Sequence, residues 1–269
     1  MGGILETVVG NLAAAAVITP QAFAASSPNT FTIRNATGQM DAQLISLWGN
    51  TSVNGSLRVR SPRLHDANQS VRIRQLLANP SPTFPPAAQQ NLFSQDSLTV
   101  EYLADVAPAA AAPQGIALQV YYPDLVGGSA SSSRHWAEVE PFIANILGQD
   151  MTPTSSAVQN NWGPGQVLNA TADSFKAGKN YAVLGYVTSD VGLAFAISGA
   201  DTGNYLVGGP LTTDALVTHQ YFVDLAEQNG LPCIPVISAN NKLSTLVQVA
   251  SGALSTVFHV SLILAELTN

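Results

Sequence analysis

The triplet Asp201-Thr202-Gly203 has the most specific chemical meaning of any short motif in this sequence. Aspartic proteases use a pair of aspartates that share one proton, and each lies in an Asp-Thr-Gly turn after a strand. A pair needs a second triplet, and no other Asp-Thr-Gly or Asp-Ser-Gly occurs here. Because the triplet is also an ordinary turn sequence, we interpret Asp201 as a turn residue. An aspartic-type hydrolase, completed only in a homodimer, is the last of three functional hypotheses.

A second group of titratable side chains comprises His135, Glu138 and Glu140. His135 and Glu138 share a face of a predicted helix at spacing i, i+3, whereas Glu140 points elsewhere. Acidic residues at the start of a helix are stabilised by its dipole. We therefore interpret the group as a helix start and not as a metal or acid–base site.

The remaining candidates are isolated residues. His65, His219 and His259 stand apart from one another, and each is expected to be structural. Cys233 is the one cysteine, which excludes an intramolecular disulfide and a Cys-rich metal site, and its apolar surroundings predict a buried thiol. No nucleophile elbow, phosphate-binding loop or His-Glu-x-x-His motif occurs. We predict no catalytic residues, no cofactor, no metal and no enzymatic activity.

The 269 residues carry little charge, since Asp, Glu, Lys and Arg together make up 10%, against roughly 25% in an average domain. The formal net charge of −7 argues against direct nucleic-acid binding, which depends on clustered basic residues. A surface with so few charges is poorly protected against association. We therefore expect other copies or partners to cover much of it. The alternative is a secreted protein with a neutral, Ser/Thr-rich surface.

Half of the ten basic residues lie between positions 58 and 74. They alternate with apolar residues, which predicts a hairpin with one basic, solvated face. An acidic partner, such as a neighbouring subunit, is the alternative explanation of the cluster. The basic residues are Arg58, Arg60, Arg63, Arg72 and Arg74, and the apolar ones are Leu57, Val59, Val71 and Ile73.

Strand-like apolar runs dominate the region 178–264. Bulky and small residues alternate over 191–198, as in a strand with two distinct faces. The run 181–188 is apolar on both faces, which is typical of a central strand. Asn54-Gly55 predicts a tight hairpin in the first half. Further strands are predicted over 30–34, 43–48, 56–60, 70–74, 97–103, 115–122, 233–237, 243–250 and 255–264.

The first 28 residues are predicted to be an N-terminal arm. Ile4, Leu5, Val8 and Val9 have the spacing of an amphipathic helix that ends before Pro20. A secretory leader cleaved after Ala24 is the alternative, although the basic residues that begin such leaders are missing.

Two short helices are predicted elsewhere. One runs over 133–148 with Ser133 as a possible cap. The other runs over 214–229, with Thr213 as a possible cap and Gly230 as a left-handed stop.

The polar stretch 149–164 marks the predicted domain boundary. We expect a mainly all-β protein with an arm over 1–28, a first β-sandwich over 29–150 and a second over 151–269. Asn-Ala-Thr at Asn35 and again at Asn169 favours a duplication.

The second half resembles the double jelly-roll major capsid proteins of tailless, membrane-containing dsDNA bacteriophages. The resemblance lies in a Gly-rich turn, a helix, a Leu-Pro-x-Ile-Pro-Val strand, an Asn turn and closing strands. The residues that carry it are Gly178-Lys179-Asn180-Tyr181, the loop 203–210, Tyr221-Phe222-Val223, 231–237 and Leu246-Val247-Gln248-Val249.

This resemblance implies two jelly rolls in tandem, standing side by side, and three chains forming a pseudo-hexagonal block of an icosahedral shell. The expected partners are the other two chains of a homotrimer, neighbouring capsomers, other capsid proteins and an internal membrane reached through the arm. The expected location is the virion. A secreted β-sandwich binding module or adhesin, recognising glycan through Trp48 or Trp162 on loops, is the second hypothesis.

Overall fold

The structure is a computed structural model. It describes residues 3–12, 20–24, 30–33, 41–60, 71–75, 90–106, 114–123, 133–168 and 175–268.

The described chain is mostly antiparallel β-sheet with a few short helices, so the predicted mainly-β class is confirmed. Among the described residues of the first half there are nine strands, and we call this part the first β unit (residues 4–122). They are β1 Ile4–Leu12, β2 Pro20–Ala24, β3 Thr30–Thr32, β4 Ala42–Asn50, β5 Gly55–Arg60, β6 Val71–Gln75, β7 Gln90–Leu92, β8 Ser97–Ala104 and β9 Gly115–Tyr122.

The described residues of the second β unit (residues 143–267) form eight strands. They are β10 Ile143–Met151, β11 Gln166–Val167, β12 Asn180–Thr188, β13 Ala194–Ser198, β14 Val207–Pro210, β15 Val236–Ser238, β16 Leu246–Ala250 and β17 Val260–Leu267. The α-helices are α1 Trp136–Val139 before this unit, and α2 Ala215–Thr218 and α3 Tyr221–Asn229 between β14 and β15.

The eight strands of the second unit form two four-stranded sheets, ordered β10-β17-β12-β15 and β11-β16-β13-β14. Its first strand pairs with its last, the second with the seventh, the third with the sixth and the fourth with the fifth.

The first unit repeats this scheme, because β1 pairs with β9, β4 with β7 and β5 with β6, while β8 pairs with both β2 and β3. The strand order of the first unit is β6-β5-β8-β2-β1-β9-β4-β7. In it, β1-β9-β4-β7 corresponds to β10-β17-β12-β15, and β6-β5-β8-β2 corresponds to β14-β13-β16-β11. The two parts are joined where β1 meets β2.

Each unit has an apolar core, and the core of the second unit also includes Leu5, Ile45 and Tyr121 of the first unit. Every residue of β9 is buried, and β12 is buried along most of its length, as expected of central strands covered on both faces. The large buried side chains include Tyr102 and Tyr122 in the first unit and Tyr186 and Phe195 in the second.

The predicted N-terminal helix is wrong where the structure describes it. Ile4–Leu12 forms β1, which pairs with β9 from Ile4 to Asn11. Apolar residues adjacent in sequence, such as Ile4 and Leu5, fit a helix stripe, but they equally fit a strand that is covered on both faces. Glu6 and Thr7 are buried as well, which a solvated helical arm would not require. The rest of the predicted arm lies outside the described residues, except Pro20–Ala24, which forms β2.

The predicted helix over 133–148 is also wrong beyond its first turns. The α-helix spans Trp136–Val139, a 3₁₀ turn follows over Glu140–Phe142, and Ile143–Met151 is β10. Pro141 sits in the 3₁₀ turn, and proline does not continue a regular hydrogen-bonded helix. Residues 150 and 151, between which the predicted domain boundary lies, both belong to β10.

Two turn predictions had different outcomes. Asn54-Gly55 does not make a tight hairpin, because β4 pairs with β7 and β9 while β5 pairs with β6 and β8. The loop instead carries the chain from the β1-β9-β4-β7 half of the strand order to the β6-β5-β8-β2 half. Gly230 ends α3 with φ of 64°, as predicted.

The predicted helix over 214–229 is interrupted between Thr218 and Tyr221. Its N-cap is Asp214 instead of Thr213, with Oδ1 accepting a hydrogen bond from the Leu216 N–H at 3.1 Å.

Candidate functional site: the junction between the two β units

The two β units meet where β1 runs beside β14. The backbone N–H of Thr7 donates a 2.7 Å hydrogen bond to the carbonyl of Leu206, the residue before β14. Both Thr7 and Val207 are buried. β2 pairs with the end of β1 on the side opposite β9, and the second unit covers that side of β1 at Thr7.

Gln119 extends this contact from the neighbouring strand, since it is the partner of Thr7 in the β1–β9 register. Its Nε2 donates to the carbonyl of Gly208, and its Oε1 accepts a 2.8 Å hydrogen bond from the hydroxyl of Tyr221 at the start of α3. Gln119 is fully buried. Burial raises the pKa of Tyr221, so its hydroxyl remains a donor across the physiological range.

A third contact joins β4 to the segment before β13. The indole Nε1 of Trp48 donates a 2.8 Å hydrogen bond to the carbonyl of Leu193. Around it lies a small apolar cluster shared by both units, with Trp162 partly buried against it. Trp48 is 1% exposed, so it is not the loop ligand for glycan that the sequence suggested. The buried members of the cluster are Val9, Trp48, Ala117, Leu193, Ala194 and Ala250.

Asn160 adds a polar contact beside this cluster. It has a positive φ of 54°, and its Nδ2 donates a 2.6 Å hydrogen bond to Oδ1 of Asn11 at the end of β1. Asn11 in turn donates to the carbonyl of Gln159. Buried polar groups are costly unless they are paired, so these contacts select one way of joining the two units.

Asp201 lies in a 3₁₀ turn over Ala200–Thr202, just after β13. Its Oδ2 accepts a 3.0 Å hydrogen bond from the N–H of Ser238, and its Oδ1 accepts a 2.9 Å bond from Nδ2 of Asn241. These bonds join the turn after β13 to the last residue of β15 and to the 3₁₀ turn that follows β15. This is the behaviour of the turn residue that the sequence analysis favoured.

The other titratable residues considered in the sequence analysis lie in separate parts of the structure. Glu138 accepts a 3.1 Å hydrogen bond from the backbone N–H of His135, as in a helix start, and Glu140 is exposed. His219 is the C-cap of α2, and His65 lies outside the described residues. Burial raises the pKa of Cys233, as for an inert core thiol. Within the described ranges, no three His, Cys, Asp or Glu side chains are grouped so that they could hold a metal ion.

His259 forms one side of an open groove of about 450 Å³ at the end of β10, β12 and β17. Its backbone N–H donates a 2.6 Å hydrogen bond to Oδ2 of Asp190, and its Nδ1 lies 3.3 Å from the same oxygen. The groove also exposes Asp150, whose Oδ1 accepts a 2.7 Å bond from the Ser261 hydroxyl.

The loops beside this groove carry no charge. Residues 152–165 and 251–258 contain no Asp, Glu, Lys or Arg. They are joined by hydrogen bonds such as Ser155 N–H to the Thr256 carbonyl at 2.8 Å. Val158, Leu254 and Val257 are exposed on them. An uncharged surface with exposed apolar residues can pack against another protein without burying unpaired charge.

The sequence analysis missed the junction. Thr7, Trp48 and Gln119 lie in segments whose other residues are mostly apolar. The signal available in the sequence was a polar residue, Thr7 or Gln119, inside such a segment. No helix in the described part of the chain is long and apolar enough to cross a membrane.

Comparison with known proteins leaves the chain without an assigned family. No protein-family model and no curated protein matches it. One solved structure that it resembles is a peptide-N(4)-(N-acetyl-β-D-glucosaminyl)asparagine amidase, at 8% identity over 100% of this chain and 97% of that one. The TM-score of that comparison is 0.23, which is too low to support any statement about fold or function.

Proposed function

We propose that this protein is a structural capsid protein with two jelly rolls, which assembles as homotrimers into a shell. The observation that carries the proposal is the strand pairing repeated in the two β units. In the second unit the first strand pairs with the last, the second with the seventh, the third with the sixth and the fourth with the fifth. This pairing agrees with the two-Greek-key arrangement of jelly rolls, which are common in viral capsids, and it supports the proposal for that reason.

The junction supports the proposal because it makes one building block from two units. Thr7, Gln119 and Trp48 each contact the second unit through hydrogen bonds in the interior. A shell subunit has to keep a constant shape so that identical contacts repeat around it. Buried polar contacts that fit only one arrangement of the two units meet this requirement.

The surface supports it as well. The chain has 10% charged residues, and the described surface exposes large apolar side chains in several places. Such residues pack against other copies in extensive interfaces. They are Phe93, Val106, Phe142, Ile146, Val158, Val167, Val191, Leu216, Val217, Leu243, Leu254 and Val257.

The predicted route to an internal membrane is not part of the proposal. Ile4–Leu12 is occupied as a strand between β9 and the second unit, so these residues cannot also lie on a membrane as an amphipathic helix. The partners that we propose are copies of the same chain.

The experiment is light scattering of the native protein combined with electron microscopy of the same sample. We expect a stable trimer, and shells or sheets at higher concentration. A monodisperse monomer at all concentrations would contradict the proposal. If that monomer also lacked its first 24 residues and bound glycans saturably, the secreted binding module would replace it.

A further inference from the structure

The groove beside His259 lies on the outer face of the sheet that contains β10, β17 and β12. Burial alternates along the segment that leads into β17, so successive side chains point inward and outward. The inward set is Phe258, Val260 and Leu262, and the outward set is Val257, His259, Ser261 and Ile263. The groove is therefore built beside the outward set, near the ends of β10 and β12.

The pairing of β10 with β17 determines what lies next to these outward side chains. Asp150 is the partner of Ser261 in the register, and Gly148 is the partner of Ile263. Apart from the adjacent residues, a Cβ on Gly148 would have one neighbour within 4 Å, Ser261 Oγ at 3.6 Å, so the sheet surface there is open to a ligand. Beyond the strands, a bridge at Val257 keeps the two segments together. The strip thus has a polar centre between two apolar ends, Ile263 and Val257.

Asp150 presents an unused carboxylate oxygen at this polar centre. Its Oδ1 accepts a 2.7 Å hydrogen bond from the Ser261 hydroxyl, whereas its Oδ2 accepts none from any residue that the structure describes. Asp150 is exposed. A second carboxylate, that of Asp190, adjoins the groove at His259, and its side chain is 32% exposed. The groove therefore offers acceptors to a ligand that donates hydrogen bonds.

The segments that form this end of the second unit contain no basic residue that could neutralise the carboxylates. Residues 143–168, 185–200 and 243–263 include two charged residues, Asp150 and Asp190, and no Lys or Arg. Carboxylates without a cation nearby attract cations and repel anions such as phosphate. Since the described residues do not group three His, Cys, Asp or Glu side chains around one point, the cation that fits is an organic one.

The space and the hydrogen bonds favour a primary ammonium group on an aliphatic stem. The groove has a volume of about 450 Å³, which suits a side chain or a small ligand. An ammonium group is a compact donor, whereas a guanidinium binds best to both oxygens of one carboxylate. Because Ser261 already occupies Oδ1 of Asp150, the free Oδ2 suits the ammonium. The aliphatic stem then lies beside Val187, which is partly buried in the lining.

The lysines of this chain already have partners at the opposite end of the second unit. They are Lys176, Lys179 and Lys242. Lys176 Nζ is 2.7 Å from Oε2 of Glu266, and Lys179 Nζ donates to the Thr268 carbonyl at 3.4 Å, both at the end of β17. Lys242 follows β15, and its Nζ lies 5.8 Å from the centre of an aromatic ring. The lysine that fills the groove is therefore expected to come from a different chain.

The surface around the groove favours a lysine carried by a polypeptide over a free alkylammonium ion. Val257 is 49% exposed at one end of the strip, and Leu254 and Val158 are exposed on the same two uncharged loops. A free ion leaves these apolar side chains in water, whereas the residues that flank a lysine in a polypeptide can cover them.

We propose that this groove binds a lysine side chain of a different protein, with the ammonium group on Oδ2 of Asp150 and the flanking residues on Val257 and its loop. The inference goes beyond the proposed self-assembly and does not depend on it, because a single chain contains the whole groove. Val257 is then covered by this partner and not by a copy of the chain.

Binding of synthetic peptides to the full-length protein tests the proposal. The probe is the peptide Gly-Val-Ala-Lys-Ala-Val-Gly, blocked at both ends with uncharged groups, one of them a fluorophore, and fluorescence anisotropy measures its binding. We expect saturable binding that weakens about tenfold or more when acetyl-lysine or norleucine replaces the lysine, because each removes the charge. An arginine peptide should bind more weakly than the lysine peptide. Raising the ionic strength from about 0.05 M to about 0.5 M should weaken the lysine peptide and leave the acetyl-lysine peptide unchanged.

Substitutions in the protein locate the binding site, each checked for an unchanged thermal midpoint. Asp150→Asn removes the charge and keeps an oxygen for Ser261, and we expect it to weaken the lysine peptide about tenfold. The matched control is Glu140→Gln, the same loss of charge at an exposed residue before the opposite end of β10, which should stay within about twofold. Val257→Ser should weaken binding about threefold, whereas Val167→Ser, at a side chain that is 37% exposed on β11, should have no effect.

Several results would overturn the proposal. Absence of binding by every peptide, equal binding of the lysine and acetyl-lysine peptides, or equal binding by Asp150→Asn and the native protein would show that the groove does not recognise the ammonium group. Competition by n-butylammonium chloride at the same concentration as the peptide would show that the ligand is a free ion and not a polypeptide. Binding that appears only after an oligomer is diluted to monomers would show that another copy of the chain occupies the groove.

Discussion

The hydroxyl of Tyr221 donates a 2.8 Å hydrogen bond to Oε1 of Gln119 across the boundary between the two β units. Both residues are buried, and they are 102 positions apart in the sequence. The bond connects α3, which sits in the long connection between β14 and β15, to the central strand β9. It therefore ties the position of that connection to the packing of one unit on the other.

Removal of this hydroxyl should weaken the junction. We expect Tyr221→Phe to lower the free energy of unfolding by about 2 kcal/mol, because the buried Oε1 of Gln119 loses its donor. Urea unfolding followed by fluorescence measures the change. Tyr181→Phe is the comparison, because the Tyr181 hydroxyl accepts a hydrogen bond from the Lys176 N–H inside the second unit. Loss of that hydroxyl should leave the cooperativity of unfolding between the two units unchanged. A loss below about 0.5 kcal/mol in Tyr221→Phe would mean that the bond does not stabilise the junction.

A buried hydroxyl in β1 has no hydrogen-bond partner among the described residues. It is Oγ1 of Thr7, which is 1% exposed. Thr7→Val replaces it by a methyl group of the same shape, so we expect stability to rise by about 1 kcal/mol. The matched control is Thr202→Val, because the Thr202 hydroxyl bonds to Gly199 and to the Tyr205 carbonyl and its loss should destabilise. A lower thermal midpoint in Thr7→Val would contradict the prediction.

Two glycines in one row of the second unit should respond differently to alanine. Gly148 and Gly185 both face Ile263 in the β10–β17–β12 register. A Cβ on Gly185 would lie 2.3 Å from the carbonyl oxygen of His219, whereas the nearest atom to one on Gly148 is Ser261 Oγ at 3.6 Å. We expect Gly185→Ala to cost about 2 kcal/mol or more, since the chain after α2 has to move. Gly148→Ala should stay within about 0.5 kcal/mol. Similar midpoints in chemical denaturation would show that α2 does not pack on this row.

Asp201→Asn separates a structural role from a catalytic one. An amide has one acceptor oxygen, so either the Ser238 N–H or the Asn241 amide loses its partner, and we expect about 1 to 2 kcal/mol of lost stability. The second measurement is cleavage of a denatured protein substrate at acidic pH, which we expect neither protein to perform. Cleavage by the native protein that disappears in the variant would support the aspartic-type hydrolase.

The Asp190–His259 contact predicts a pH dependence. The backbone N–H of His259, and to a smaller extent its side chain, hold the pKa of Asp190 below the ordinary value of 3.8. The folded state therefore prefers the carboxylate. Its contribution to stability is present above about pH 4 and is lost as the pH falls through the lowered pKa.

We expect Asp190→Asn to lower stability by about 0.5 to 1 kcal/mol at pH 7, because the contact is partly solvated. The difference between the two proteins should vanish at the lowest pH at which the fold survives. His259→Ala keeps the backbone donor and should retain most of the effect. Equal losses in both variants at pH 7 would show that the imidazole provides the stabilisation.

The strands that the sequence identified were those whose pattern is local. β4, β5, β6, β8, β9 and β12 were all predicted within a few residues, since alternation or continuous burial shows in each one separately. β1 and β10 were predicted as helices. In both segments the apolar residues fit a helix stripe, and the choice of strand depends on β9 and β17, which lie far away in sequence.

The sequence by itself determined the β class, the low surface charge, the structural role of Asp201 as a turn residue and the left-handed stop at Gly230. These follow from periodicity, composition and the conformational range of single residues, which are local properties. The tertiary structure alone decided the pairing of first strand with last and the covering of β1 by β14. It also decided the burial of Trp48 and Gln119 between the units. Each of these joins residues far apart along the chain, and strand partners are chosen by packing in space, which no local pattern encodes.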